Sequence, residues 1–186
     1  MIGIVGESAS GKTSLAKLMC EKFPHQFRRA IAYTTRPIRE GEREGVDYHF
    51  VTPEKFDELK ASGFFIESNT YRNWQYGTAW EDCVDENNVV AVLNPAGLRL
   101  IRGQGVNVLA IYLYVDRRSR MHMLLNRGDD VDEAYRRNLS DVGEFDGIEN
   151  EVDYIIDNTE YHGDESAVLT CMLGILESAE AENEKD

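Results

Sequence analysis

The first pattern in the chain is a series of short apolar runs, each bounded by glycine or by polar residues. Their length is that of β-strands, and most of them carry no polar residue at alternate positions, as is typical of strands buried on both faces of a parallel sheet. The runs cover residues 2–5, 64–67, 89–93, 108–115 and 153–157.

Helical patterns fill the segments between these runs. Leu15, Leu18, Met19 and Phe23 recur at a spacing that puts them on one face of a helix. Further helices are predicted at 53–62, around 79–87, from residue 95, from residue 117, at the end of 126–137 and at 165–178. Because strands and helices alternate, we predict an α/β fold with a mostly parallel sheet flanked by helices.

Length and charge limit what such a fold can do. The chain has 186 residues and a formal net charge of −14, which favours one domain and argues against nucleic acid or an anionic membrane as a partner. Three cysteines without a CxxC spacing suit a reducing compartment. No apolar run reaches the roughly 18 residues of a membrane span, and the first residues predict a strand rather than a signal peptide. We therefore expect a soluble, cytoplasmic, single-domain protein with a solvated, frayed acidic tail at 177–186.

The segment after the first run carries the strongest chemical signal. Residues 6–13, GESASGKT, match the pattern GxxxxGK[ST] between a predicted strand and a predicted helix. In such a loop the backbone N–H groups and the helix N-terminus bind phosphate oxygens, Lys12 reaches the β- and γ-phosphates, and the Thr13 hydroxyl ligates Mg²⁺. The alternative, an ordinary glycine-rich turn, is disfavoured by this setting. The predicted nucleoside triphosphate site consists of Gly6, Glu7, Ser8, Ala9, Ser10, Gly11, Lys12, Thr13 and Ser14.

A second anion site is indicated by residues 34–50, TTRPIREGEREGVDYHF. Arg36 and Arg39 can both face one anion, and the guanidinium fork suits phosphate oxygens. Tyr48 adds a hydroxyl donor. The alternative is that the arginines only pair with nearby surface acids. Two phosphate sites in one small chain favour transfer of a phosphoryl group between them.

This stretch resembles the signature of guanylate kinases, with its TTR start, an R-x-G-E segment and G-x-D-Y-x-F. The resemblance continues through GFFIES and YRNWQYGT to Thr78, and it is traceable through the lid segment and DYIIDN. It implies a P-loop kinase that uses Mg²⁺ as its cofactor and transfers a phosphoryl group from ATP to GMP, giving ADP and GDP. It also implies a core of 1–31, 81–123 and 141–178, a GMP-binding subdomain near 32–80 and a lid near 124–140.

The resemblance also assigns site residues. It implies that Glu67 and Thr78 recognise the base, while arginines and tyrosines hold the phosphate of GMP. The chemistry agrees, because one carboxylate can accept from both N1–H and the 2-amino group of guanine, and a threonine hydroxyl can donate to O6. Adenine would leave the carboxylate facing an acceptor. The implied GMP-binding set is Arg36, Arg39, Tyr48, Glu67, Tyr76, Thr78 and Asn94, and Asn158 joins the ATP-binding set.

The implied reaction needs no general base, because a phosphate monoester with a second pKa of ~6 is largely dianionic at neutral pH. Catalysis then consists of alignment and charge stabilisation, and the four histidines are interpreted as structural or surface residues. The lid segment supplies Arg127 and the pair Arg136 and Arg137, of which we favour Arg137. The predicted catalytic set is Lys12, Arg39, Arg127 and Arg137.

Four positions depart from the family pattern. Ala32 stands where the family has a serine, and Asn94 ends a strand where the family has D-x-D, with an amide that cannot supply charge. Met123 replaces a lid arginine, for which Arg120 is a candidate substitute. Asp116 resembles a Walker-B acid, but the N-cap of a helix is the favoured interpretation.

Three alternatives stay open. Asn94 also resembles the strand end of ribose 1,5-bisphosphate phosphokinases, although Glu67 and the intact signature argue against that acceptor. Ala32 loosens the base pocket, which leaves dGMP or another nucleoside monophosphate as an alternative acceptor. A guanylate-kinase-like binding module without catalysis is disfavoured by the intact phosphate loop. The sequence does not decide between a monomer and a homodimer.

Overall fold

The computed structural model describes residues 1–71, 73–83, 88–126, 128, 130–160 and 164–183. Strands and helices alternate through most of this part of the chain, which confirms the predicted α/β class. In chain order they are β1 (Ile2–Val5), α1 (Lys12–Lys22), β2 (Phe27–Arg29), β3 (Tyr33–Thr34), β4 (His49–Phe50), α2 (Pro53–Ala61), β5 (Phe65–Tyr71), β6 (Trp74–Ala79), β7 (Asn88–Leu93), α3 (Pro95–Gly103), β8 (Leu109–Tyr114), α4 (Arg117–Asn126), α5 (Val131–Ser140), β9 (Tyr154–Asp157) and α6 (Glu165–Asn183).

The main sheet is parallel, with the strand order β2-β7-β1-β8-β9. Successive side chains of a strand point to opposite faces, and here both faces are covered. Ile4 packs in a core cluster with α1 and α6, whereas Val5 packs in a second cluster with Leu98 of α3. Burial on both faces explains why the apolar runs lack alternation. The loop after the central strand β1 therefore lies at the carboxyl edge of the sheet, where α/β folds place their ligands.

A second sheet has the order β4-β3-β6-β5, and its strands all come from residues 33–79. Its β5–β6 hairpin is antiparallel, and α2 packs against it through Phe56, whose ring stacks on that of Phe65 at 4.7 Å. Helix α2 begins as the sequence predicts, since the Thr52 hydroxyl accepts from the Lys55 N–H at 3.2 Å and Pro53 follows the cap.

Helices α4 and α5 pack against each other after β8. The Asp116 carboxylate accepts from the N–H groups of Arg118 and Ser119 at 2.9 and 3.1 Å, which confirms the N-cap interpretation of this acid. Asp130 caps α5 in the same way, accepting from the Glu133 N–H at 2.9 Å. Both caps stabilise helix starts, because each satisfies N–H groups that have no partner inside the helix.

The helix predicted around 79–87 is wrong for the residues that the structure describes. Strand β6 extends to Ala79, and only a 3₁₀ turn, Trp80–Asp82, follows it. The prediction failed because pairing with β5 governs the backbone up to Ala79. Residues 84–87 lie outside the described part of the chain.

The predicted frayed tail is also wrong as far as residue 183. Helix α6 runs from Glu165 to Asn183 and so includes most of the acidic segment. Alanine and glutamate, which dominate that segment, are strong helix formers. Across the described residues, none of the helices combines the length and the apolar character that crossing a membrane requires.

Candidate functional site

A cavity of about 530 Å³ opens at the carboxyl edge of the main sheet, between the phosphate loop, the second sheet and α5. It brings together most residues that the sequence singles out. Those on its wall are Gly6, Ser8, Ala9, Gly11, Lys12, Thr13, Ser14, Arg36, Arg39, Tyr48, Glu67, Tyr76, Thr78, Asn94 and Arg137. Arg127 lies outside the described residues.

The backbone of the phosphate loop depends on two glycines. A Cβ at Gly6 would lie 2.6 Å from the Leu113 carbonyl oxygen and 2.7 Å from the Ser10 hydroxyl oxygen, so no larger residue fits. Gly11 has a φ of 95° and forms the N-cap of α1. Ala9 also lies in the left-handed region, with a φ of 64°. Together these dihedral angles fold the segment tightly into the start of α1.

Lys12 lies at the inner side of this loop. Its ammonium group donates to the Glu7 carbonyl oxygen at 2.6 Å and to the Ser10 hydroxyl at 3.4 Å. Thr13 follows at the cavity wall in the first turn of α1. The side chain that the motif predicts as the phosphate contact is thus held against the loop by neutral oxygen atoms.

Three predicted ATP-site residues do not line the cavity. Ser10 is fully buried, and Asn158 donates its amide to the Ser10 carbonyl oxygen at 3.1 Å, so Asn158 contacts the loop from behind. The side-chain oxygen of Asn158, Oδ1, is buried and has no hydrogen-bond partner among the described residues. The Glu7 side chain is directed into a second cavity, also away from the loop mouth.

Behind the loop lies a buried ionic cluster formed by Glu7, Arg120 and Asp141. Arg120 donates to Asp141 at 3.3 Å and to the Val115 carbonyl oxygen at 3.0 Å, and it lies 3.5 Å from Glu7. The expectation that Arg120 substitutes for the lid arginine missing at Met123 is therefore wrong, because these contacts commit its guanidinium group and it does not line the main cavity.

Asp141 connects this cluster to two other parts of the molecule. Its carboxylate accepts from the backbone N–H of Ser8 at 2.9 Å and from the hydroxyl of Tyr71, at the end of β5. The side chain is only 2% exposed. One carboxylate at the end of α5 thus contacts the phosphate loop, the second sheet and α4.

The arginine loop is pre-organised by an acid. Arg36 is buried, and its two terminal nitrogens donate to the two oxygens of Glu42 at 2.9 and 2.8 Å. Glu42 also accepts from the backbone N–H of Arg39 at 2.8 Å. Burial by itself would raise the pKa of Glu42, but the hydrogen bonds from Arg36 and Arg39 lower it below its usual value. Arg36 thus pairs with an acid, but both members of the pair line the cavity wall, so the pairing does not exclude a contact with an anion.

Arg39 belongs to a group of converging positive charges. Burial lowers the pKa of its guanidinium group, and the nearby charges of Arg36 and Arg137 lower it further. Such a concentration of positive charge favours an anion at this point of the cavity.

Two tyrosines complete the arginine side of the cavity. The rings of Tyr48 and Tyr76 lie edge to face at 6.1 Å, and the Arg36 guanidinium lies 5.3 Å from the centre of the Tyr48 ring. Burial raises the pKa of Tyr48, so its phenol keeps its proton and remains a hydrogen-bond donor. The preceding residue, Asp47, forms a salt bridge with Lys17, which ties this loop to α1.

The opposite end of the cavity contains a buried carboxylate. Glu67 and Thr78 face each other across the β5–β6 pair, and the Thr78 hydroxyl donates to Glu67 Oε1 at 2.8 Å. Asn69 donates to Glu67 Oε2 at 2.9 Å. Burial raises the pKa of Glu67, and these hydrogen bonds oppose the rise. For Thr78 to donate to guanine O6, as the resemblance implies, its hydrogen must turn away from Glu67.

Asn94 is connected to this group through Asn69. It caps α3, accepting from the Gly97 N–H at 2.7 Å, and its amide donates to Asn69 Oδ1 at 2.8 Å. Asn94 therefore links the N-terminus of a core helix to the carboxylate end of the second sheet.

The structure distinguishes the two adjacent arginines of α5. The side chain of Arg137 is 10% exposed and lines the cavity, whereas that of Arg136 is 42% exposed. Both donate to Glu133, and Arg136 also lies 5.6 Å from the centre of the Trp74 ring. The geometry thus agrees with the preference for Arg137.

The histidines take no part in the cavity wall as far as the structure describes them. His25 and His122 are exposed, and His49 pairs with Glu44 at 3.1 Å. His162 lies outside the described residues.

Comparison with known proteins decides the family. A family model described as guanylate kinase matches residues 1–169. The chain is 30% identical over 174 residues to a guanylate kinase of Nitrosococcus oceani, covering 89% of this chain and 85% of that one. It is 32% identical over 161 residues to a guanylate kinase of Vibrio vulnificus, covering 83% and 77%. The chain belongs to the guanylate kinase family.

A solved structure is similar in fold. The guanylate kinase from Anaplasma phagocytophilum superposes with a TM-score of 0.69 at 23% sequence identity, covering 96% of this chain and 85% of that one. Membership of the guanylate kinase family makes this chain an enzyme of the kinase class.

Two residues that hold the wall of the guanylate kinase cavity in place, Asn69 and Asp141, were missed at the level of sequence. Asn69 lies two positions after Glu67. Because side chains two positions apart share one face of a strand, the sequence could have predicted that Asn69 lies beside Glu67. Asp141 gave no such signal, because its partners Ser8 and Tyr71 are 133 and 70 residues away in the chain.

Proposed function

We propose that the protein transfers the γ-phosphoryl group of ATP to GMP, giving ADP and GDP, with Mg²⁺ as cofactor. One observation carries the proposal. A single cavity is lined by a phosphate loop, by a buried carboxylate with a threonine, and by a group of arginines. A protein that only bound or hydrolysed ATP would need the phosphate loop, but it would need neither the buried carboxylate with its threonine nor the group of arginines.

The donor end would hold the phosphates of ATP through the loop. The backbone N–H groups and the N-terminus of α1 bind phosphate oxygens, and Lys12 exchanges its contacts with Glu7 and Ser10 for the β- and γ-phosphates. Thr13 offers a hydroxyl oxygen at the cavity wall, which is a ligand type that suits Mg²⁺ beside substrate phosphates. When bound, Mg²⁺ neutralises phosphate charge.

The acceptor end would hold GMP. Arg36, Arg39, Tyr48 and Tyr76 donate to its phosphate, and Glu67 accepts from the N1–H and the 2-amino group of guanine. Glu42 fixes Arg36 in advance, so little side-chain entropy is lost on binding. We assign the second sheet with α2 as the GMP-binding subdomain, and the end of α4 together with α5, within residues 124–140, as the lid.

In the transfer step an oxygen of the GMP phosphate attacks the γ-phosphorus. A bond forms between that oxygen and phosphorus, and the bond from phosphorus to the β–γ bridging oxygen breaks, leaving ADP. The attacking oxygen is already ionised, so no base is needed. Arg39 and Arg137, which both line the cavity, would stabilise the charge between the two phosphates. We assign the same task to Arg127.

An acceptor panel tests the proposal. ADP release from Mg-ATP is measured with GMP, dGMP, AMP, UMP and ribose 1,5-bisphosphate as separate acceptors. We expect strong turnover with GMP and none with AMP or UMP, whose different bases test how far Ala32, which lines the cavity, loosens the base pocket. The acceptor dGMP has the same base and tests whether the ribose 2′-hydroxyl is needed. Turnover with the ribose compound but not with GMP would overturn the guanine assignment, and no turnover with any acceptor would favour a binding role.

The cytoplasmic location stays a prediction.

A further inference from the structure

A chain of hydrogen bonds runs from α3 to the buried carboxylate of the cavity. The Gly97 N–H donates to Asn94 Oδ1 at 2.7 Å, Asn94 Nδ2 donates to Asn69 Oδ1 at 2.8 Å, and Asn69 Nδ2 donates to Glu67 Oε2 at 2.9 Å. It therefore joins the core of the protein to the second sheet through two asparagine side chains.

The direction of this chain is fixed by its first member. A backbone N–H can only donate, so the Asn94 side chain must present its oxygen to Gly97 and its NH₂ group to Asn69. Asn69 must then present its own oxygen to Asn94 and its NH₂ group to Glu67. Neither amide can turn over without placing two donors or two acceptors against each other.

The carboxylate receives donors on both sides. An ionised carboxylate has two oxygens and about four acceptor positions. Thr78 occupies one position on Oε1 and Asn69 occupies one on Oε2. The backbone N–H of Thr78 also stabilises the ionised carboxylate, so its donors hold Glu67 in place before a base binds.

We propose that Asn69 is a specificity-determining residue for the acceptor base, and that Asn94 is the positioning residue that orients it. The inference rests on the proposed function, because it concerns how guanine is recognised. It gives the asparagine at position 94 a task of its own. An aspartate there has no hydrogen to donate, so it would compete with Glu67 for the NH₂ group of Asn69.

Among the described residues, the pKa of Glu67 is shifted by burial and by hydrogen bonds from Thr78 and Asn69. Glu67 in turn acts on a nearby titratable group, the thiol of Cys83. Burial raises the pKa of Cys83 to about 11, so the thiol is neutral at physiological pH. The state of the carboxylate therefore depends on its hydrogen bonds with Thr78 and Asn69.

The test is a double-mutant cycle on direct GMP binding, measured by calorimetry with Asn69→Ala, Asn94→Asp and the double variant. Each single change is expected to weaken GMP binding about tenfold, since each removes a hydrogen bond to a charged group. Because the amide for which the aspartate would compete is absent in the double variant, Asn94→Asp is expected to cost less there. The preference for GMP over IMP, which lacks the 2-amino group, is expected to fall in both single variants.

Further measurements separate orientation from folding. Asn94→Asp is expected to move the loss of GMP affinity at low pH to a higher pH, because the weakened hydrogen bond from Asn69 and the added negative charge both disfavour the ionised carboxylate. Asn94→Ala removes the hydrogen bond that orients Asn69 but adds no charge. It should therefore move the pH at which GMP affinity is lost in the same direction by a smaller amount. Asn73→Asp, at an exposed position of the same hairpin, is the matched control. Thermal melting curves show that each variant is folded.

Additive effects of the two changes, or an unchanged GMP to IMP ratio, would overturn the inference. If the unmodified protein itself does not bind GMP, the proposed function fails instead, so the two failures are distinguishable.

Discussion

The two ends of the cavity are built by different means. At the donor end, backbone geometry shapes the site: glycines at 6 and 11 permit the loop, and Lys12 lies against a carbonyl oxygen of the same loop. At the acceptor end, side chains hold one another, as Glu42 holds Arg36 and Asn69 holds Glu67. A backbone-shaped site is insensitive to most of its side chains, whereas each partner in a side-chain site affects the next.

The largest effect is expected at the donor end, from Lys12→Met. The change removes the cation that would meet the β- and γ-phosphates, so we expect kcat to fall on the order of 10³-fold. Lys22→Met, an exposed lysine in the last turn of the same helix, is the control. Steady-state kinetics with ATP and GMP measure both. A variant that kept more than a tenth of the activity would contradict the assignment of Lys12.

The lid supplies a matched pair for the next prediction. Arg137→Ala is expected to lower kcat on the order of 10²-fold, because its guanidinium group lies in the cavity wall. Arg136→Ala is expected to change kcat by less than about threefold, since an exposed pair with Glu133 contributes little. The reverse order of effects would show that Arg136 is the catalytic residue of the pair.

At the acceptor end, Glu67→Gln is expected to raise the KM for GMP about 10²-fold and to leave that for ATP unchanged. The amide presents a donor where guanine presents donors. In the unmodified protein, GMP affinity is expected to fall as the pH falls through the raised pKa of Glu67, because binding requires the carboxylate. The Gln variant should lack this dependence. An equal rise in the KM for ATP and for GMP would show that Glu67 does not act at the acceptor end alone.

The smallest effect is expected from Ala9→Gly. Glycine removes the strain of a left-handed alanine but adds backbone entropy to the unfolded chain, so the free energy of unfolding should rise by less than about 1 kcal/mol. Gly6→Ala is expected to act in the opposite direction, because its Cβ would meet the Leu113 carbonyl oxygen. Chemical denaturation measures both variants. A stabilising Gly6→Ala would mean that backbone geometry does not constrain this loop.

The contrast between the two ends also explains what the sequence could predict. The phosphate loop is local, so its spacing alone predicts its position between β1 and α1. The main sheet follows from apolar runs that are buried on both faces. The short strands β2, β3 and β4 were missed, because two or three residues carry no periodic pattern and form only through their neighbours.

Partnerships at the acceptor end could not be inferred in the same way. The resemblance identified Glu67 and Thr78, but the contact between Asn69 and Asn94 joins residues 25 positions apart on different layers of the fold. The burial of Arg120 was likewise hidden, because its helical position is compatible with either the cavity or the core. Tertiary packing, rather than local pattern, decided these cases.

The carboxylate of Asp141 occupies a hydrogen-bond donor of the phosphate loop that a nucleotide phosphate could also use. The loop is shaped to receive anions, and an anion of the protein already accepts from its Ser8 N–H. A phosphate oxygen that binds this N–H must share it with Asp141 or displace it. Since the same carboxylate accepts from Tyr71 of the second sheet and from Arg120 of α4, filling the loop with a nucleotide also alters the bonds that hold those two parts to it.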